Sequence, residues 1–165
     1  MIEPENISKT AQRYMQENLK FIVFLIGHAD SDELDMQTKM LHEELFKGYD
    51  CCSCNNCCRD YNICFNDDDV KRIAGFLEMD KKAFRDKYLH KNDGEHIIEP
   101  PCIFLEADGR CRIQEIKPEE CVNFPYTDMP HRLGSLYSIM DFTQSCPVVF
   151  EIVQRLKKIY GFKDR

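Results

Sequence analysis

Residues 51–58 read Cys-Cys-Ser-Cys-Asn-Asn-Cys-Cys, and this run constrains the rest of the chain more than any other feature. Cys51, Cys54, Cys57 and Cys58 give Cys-x2-Cys-x2-Cys-Cys. Two intervening residues let a tight turn aim two thiolates at one ion. Adjacent Cys57 and Cys58 point in different directions, so they serve neighbouring ions or one of them joins the core. Cys102, Cys111 and Cys121 follow at wider spacing, and Cys146 comes later still. A lone cysteine is usually a small hydrophobe. Eight in this order form a candidate ligand set, sufficient for two tetrahedral sites. Cys52 lies one residue off the register and Cys64 has no cysteine within four residues, so both are spare thiols.

The remaining composition explains why such a chain would use metal. Leu, Ile, Val and Phe supply 42 of 165 residues, above the range of disordered chains. The core they can build is modest, because there is no Trp and the mean hydropathy is −0.49. Chains of this kind benefit from a staple such as a disulfide or metal. A soluble, cytoplasmic protein is expected, since residues 1–5 are acidic rather than signal-like and the strongest apolar run, 21–26, is six residues long. In a reducing compartment ten cysteines point to metal rather than disulfides. The net charge of −7 lacks the electrostatic footprint of a nucleic-acid binder. The basic tail, Arg155 to Arg165, reads as the solvated C-terminal end of a helix.

Apolar periodicity predicts a mainly α fold: a small helical domain with an irregular cysteine-rich centre organised by metal. Ile7, Ala11, Leu19, Ile22 and Leu25 mark a helix from about residue 6 to 27. Ser31 or Asp32 caps a second to about 47, and Gly48 ends it. Residues 1–50 thus form an N-terminal helical hairpin, 51–146 a metal-binding core, and 147–165 a C-terminal helix, all within one domain. Asn66 to Asp69 open a third helix, and Asp80 caps a fourth. Residues 91–135, rich in Pro, Gly and charge, are expected to be irregular with room for a short strand pair. Cys146-Pro147 starts the last helix, and Gly161 stops it. For the two cysteine sets to meet, the third and fourth helices must be looped out between them.

Closed all-thiolate sites are typical of structural Zn2+, the first choice of cofactor. Cys51-x2-Cys54-x2-Cys57 also matches the first three ligands of a ferredoxin-type iron–sulfur run, with Cys146-Pro147 as a remote Cys-Pro; Tyr61 stands where the near fourth ligand would be. An iron–sulfur cluster is therefore the alternative. The five histidines are scattered, with His131 the best reserve ligand. No glycine-rich phosphate loop is present.

Several segments in order resemble one family. Cys51-x2-Cys54-x2-Cys57-Cys58 is similar to the signature of the CxxCxxCC family, a zinc- or iron-chelating domain. Asp69-Val70-Lys71-Arg72-Ile73-Ala74 resembles its following helix, and Pro101-Cys102-Ile103-Phe104-Leu105 its "CPFL" segment. Cys111-Arg112-Ile113 and Lys117-Pro118-x2-Cys121-x-Asn123-Phe124-Pro125 resemble its later stretch, where Gln114, Lys117 and Val122 depart from the usual aromatic and two arginines. The resemblance implies metal chelation and supplies no reaction. A flagellin lysine-N-methylase shares the cysteine domain, so an iron–sulfur redox or group-transfer enzyme is the rival function. No nucleotide or S-adenosylmethionine motif supports methyl transfer here.

Overall fold

The computed structural model describes residues 1–164. In chain order the elements are α1 (Ile7–His28), α2 (Ser31–Phe46), α3 (Cys51–Cys54), α4 (Asn56–Asp60), β1 (Ile63–Phe65), α5 (Asp67–Phe76), α6 (Lys81–Tyr88), β2 (His90–Asn92), β3 (Glu95–Ile98), α7 (Glu119–Asn123), α8 (Leu136–Phe142) and α9 (Pro147–Ile159). The fold is mainly helical, as the periodicity predicts. Among the described residues no helix is long and apolar enough to cross a membrane. The chain divides into two compact units, residues 1–49 with 125–164, and residues 50–124.

In the first unit α2 packs chiefly on α9, while α1 contacts α8 and α9. The C-terminal helix therefore ties the two N-terminal helices together. Its stripe of Val149, Ile152, Val153 and Leu156 is almost fully buried, as 3.6-residue spacing requires. The cap of α2 is Asp30, one residue earlier than expected, and its carboxylate accepts from the amides of Asp32 and Glu33. Asp30 has the extended backbone an N-cap needs, whereas Ser31 is already helical. Lys157 is buried too, and its ammonium is neutralised by Glu17 at 2.8 Å.

The second unit surrounds Phe84 and Phe104, both fully buried and stacked at 6.4 Å. Val70, Ile73 and Ala74 of α5 and Ile63, Phe65 and Ile98 of the sheet complete this core. Asn66 and Asp69 form a reciprocal capping box at the start of α5. Asp80 caps α6. The sheet is antiparallel with order β1-β3-β2; Ile63 faces Ile98, and His90 faces Ile97. Asp93 and Gly94, at φ of 48° and 88°, make the two-residue turn of the β2–β3 hairpin. That hairpin is the strand pair expected after residue 90.

Candidate metal centre

The first cysteine run folds as two short helical turns separated by one left-handed residue. Asp50 caps α3, accepting from the Cys52 amide at 2.9 Å. Asn55, at φ 43°, breaks the helix after Cys54 and restarts it before Cys57. Its short polar side chain tolerates that conformation and donates to the Cys52 carbonyl at 3.1 Å. Cys51 and Cys54 thus lie in one turn, and Cys57 and Cys58 in the next.

The second set is carried by the loops beyond the sheet. Leu105 and Cys111 form an antiparallel bridge that closes the 106–110 turn. Gly109, at φ 85°, sits at the tip of this turn. A Cβ there would lie 2.8 Å from the Cys52 carbonyl oxygen and 2.9 Å from Asn55 Nδ2. Glycine is therefore what lets the 106–110 turn press against the first cysteine run. Cys121 rides on α7, and Cys102, Cys111 and Cys121 all pack against the Phe84–Phe104 core. The Cys102 amide donates to the Cys58 carbonyl at 2.7 Å, which joins the two sets directly.

Electrostatics show the same gathering. Burial pushes the Cys121 thiol up to about 12, and charge on Cys58, Cys102 and Cys111 adds to the effect. Burial also raises Cys51, Cys102 and Cys111. Cys58 moves the other way, to about 7, chiefly through a hydrogen bond from Cys57. Lys117 is the cation that favours the thiolate of Cys51, Cys58, Cys111 and Cys121. The sequence showed Lys117 only as a substitution for arginine; the signal available was its place as the one basic residue between Arg112 and Cys121.

The gathering stops short of an assembled site. Among the described residues, no three Cys, His, Asp or Glu side chains are arranged to hold one ion. Like-charge repulsion opposes drawing four thiolates to one point, and a bound cation is what offsets it. The donor chemistry fits a thiophilic ion: soft sulfur atoms, partly buried, with a lysine facing them. None of the ten cysteines forms a disulfide. Cys146 is buried at the N-terminus of α9, in the other unit. His131 also lies in that unit, where its amide donates to Asp35 at 2.6 Å.

The spare thiols have partners of other kinds. Cys52 Sγ lies 3.7 Å from Gln114 Oε1. Cys64 Sγ donates to Glu95 at 3.4 Å, and its amide donates to Glu120. Burial and these two carboxylates push its thiol up to about 12.

A helical scaffold gathering thiols from two distant stretches of chain defines a cysteine-cluster domain. The family model of the CxxCxxCC zinc- or iron-chelating domain matches residues 50–147, and the chain belongs to this family. The match begins one residue before Cys51 and ends one residue after Cys146. No solved structure matches the chain.

Proposed function

We propose that this chain binds metal through the thiolates of Cys51, Cys54, Cys57, Cys58, Cys102, Cys111 and Cys121, and that the bound ion organises the cysteine-rich centre. The observation that carries this reading is the Cys102–Cys58 backbone bond, around which cysteines from both sets collect under Lys117. Zn2+ is the favoured ion. A closed thiolate site links loops that have little apolar material of their own, as structural zinc does. The role is then structural, or in metal or redox handling. An iron–sulfur cluster is the second reading, favoured by the Cys51-x2-Cys54-x2-Cys57 run and by the family's description as zinc- or iron-chelating. Either group would be held by the same sulfur atoms, and an iron–sulfur cluster would add electron transfer. Metal analysis of protein purified without oxygen, with an absorption spectrum, tests both. Zinc with no visible absorption supports the first reading; iron with broad visible charge-transfer bands supports the second. Absence of any tightly bound metal rejects both.

A further inference from the structure

The residues around α7 carry more charge and more hydrogen bonds than a five-residue helix needs. Asp69 is 3% exposed, yet its carboxylate serves three donors. Oδ1 accepts from Arg72 Nη2 at 2.5 Å and from the Glu119 amide at 3.1 Å. Oδ2 accepts from the Asn66 amide at 3.4 Å. Arg72 turns its other nitrogen outward, and Nη1 donates to the Ile116 carbonyl at 2.5 Å. The Asp69–Arg72 pair therefore grips the backbone on both sides of Lys117-Pro118. Two neighbouring bonds reinforce the grip: Asn66 Nδ2 donates to Glu119 at 3.2 Å, and the Cys64 amide in the edge strand β1 donates to Glu120.

We propose that Asp69 and Arg72 are positioning residues of the thiolate centre, clamping residues 116–119 so that Lys117 and Cys121 face the other cysteines. The proposal rests on the metal-binding reading above. An ion pair whose arginine is half exposed is a weak stabiliser, because solvent screens its attraction. What it fixes well is geometry, through a guanidinium fork that bonds two acceptors at once. Helix α5 does not need Arg72 for its own cap, since Asn66 already accepts from the Asp69 amide at 2.8 Å. The two bonds that leave α5 instead determine where Lys117 and the start of α7 lie, and Cys121 follows two residues after Glu119. Partners of this outer kind typically change metal affinity 10- to 100-fold when removed.

The test uses the full chain, stripped of metal under reducing conditions and titrated with Co2+ against a competing chelator. Thiolate-to-cobalt absorption reports both affinity and ligand geometry. Arg72→Gln preserves helix propensity and removes the fork. It should weaken Co2+ binding by about 10- to 100-fold and alter the charge-transfer band, with the far-ultraviolet circular dichroism of the loaded protein unchanged. Arg72→Lys keeps a charge beside Asp69 but cannot bond both acceptors, and should fall between Gln and the parent chain. Parent-like affinity and spectrum in Arg72→Gln would overturn the clamp, as would parent-like Co2+ affinity in Arg72→Lys. Weakened binding matched by lost helical signal would also overturn it, by showing a merely structural role. A parent chain that binds Co2+ without thiolate absorption would instead overturn the metal reading itself.

Discussion

The amide of Cys102 donates to the carbonyl of Cys58 at 2.7 Å, across a sequence gap that contains β1, both long helices of the second unit and the β2–β3 hairpin. The intervening chain leaves after α4 and returns beside it. The Phe84–Phe104 core holds that return in place, because Phe104 lies two residues beyond Cys102 and is fully buried. Cysteines far apart in sequence become neighbours through apolar packing, before any ion is considered.

Ligand and spare thiols should separate on substitution. Cys54→Ser, Cys111→Ser and Cys121→Ser should each lower metal affinity by more than the roughly 10- to 100-fold that loss of an outer partner costs. Cys52→Ser and Cys64→Ser should keep full metal content, measured by elemental analysis of purified protein. Equal loss in Cys52→Ser and Cys54→Ser would mean that the ligand register is displaced.

Thiol chemistry in the metal-free chain should follow the same division. Only the thiolate attacks an alkylating reagent. Cys58, lowered to about 7, is roughly half ionised at neutral pH, whereas Cys64, raised to about 12, remains protonated. Mass-spectrometric timing of iodoacetamide labelling at pH 7 should show Cys58 modified well before Cys64. Lowering the pH to 5 should suppress the Cys58 reaction, because its thiolate is lost as pH falls through its pKa. Faster labelling of Cys64 would contradict the carboxylate environment given by Glu95 and Glu120.

Gly109→Ala should be unusually damaging for a turn residue. The added Cβ meets the Cys52 carbonyl at 2.8 Å in a backbone conformation that already disfavours side chains. A loss of about 1–3 kcal/mol, read from urea unfolding, is expected from the strain. Gly94→Ala, with a similar φ but nothing within 4 Å, should lose less. Matching losses would show that the 106–110 turn does not press on the first cysteine run.

Phe104→Ala should cost about 3–5 kcal/mol, the usual penalty for emptying a fully buried aromatic site. It should also weaken metal binding, since Cys102 and Cys111 flank Phe104 in the chain and pack on the same core. Parallel measurement of unfolding and metal affinity checks both expectations.

Helices with long apolar stripes were legible in the sequence, and so were the stops of α2 at Gly48 and of α9 at Gly161. α1, α2, α5 and α9 repeat apolar residues at helical spacing, and Asn66, Asp80 and Gly161 punctuate the chain through local backbone chemistry. β1 was not foreseen, because three residues are too few to display alternation and it exists only by pairing with β3. α7 and α8 were missed for a related reason: each is short, and tertiary contacts fix it rather than its own periodicity. The cysteines could be picked out by spacing. The gathering of Cys58, Cys111 and Cys121 around Lys117 could not, since it follows from packing of Phe84, Phe104 and α5.

The most direct measurement is anomalous diffraction from crystals of the metal-bearing protein, which locates the ion without assuming its ligands. The expected result is an anomalous peak at bonding distance from sulfur atoms of both residues 51–58 and residues 102–121, about 2.3 Å for zinc. Peaks confined to one cysteine set, with the other closing a site of its own or holding no ion, would contradict a shared centre.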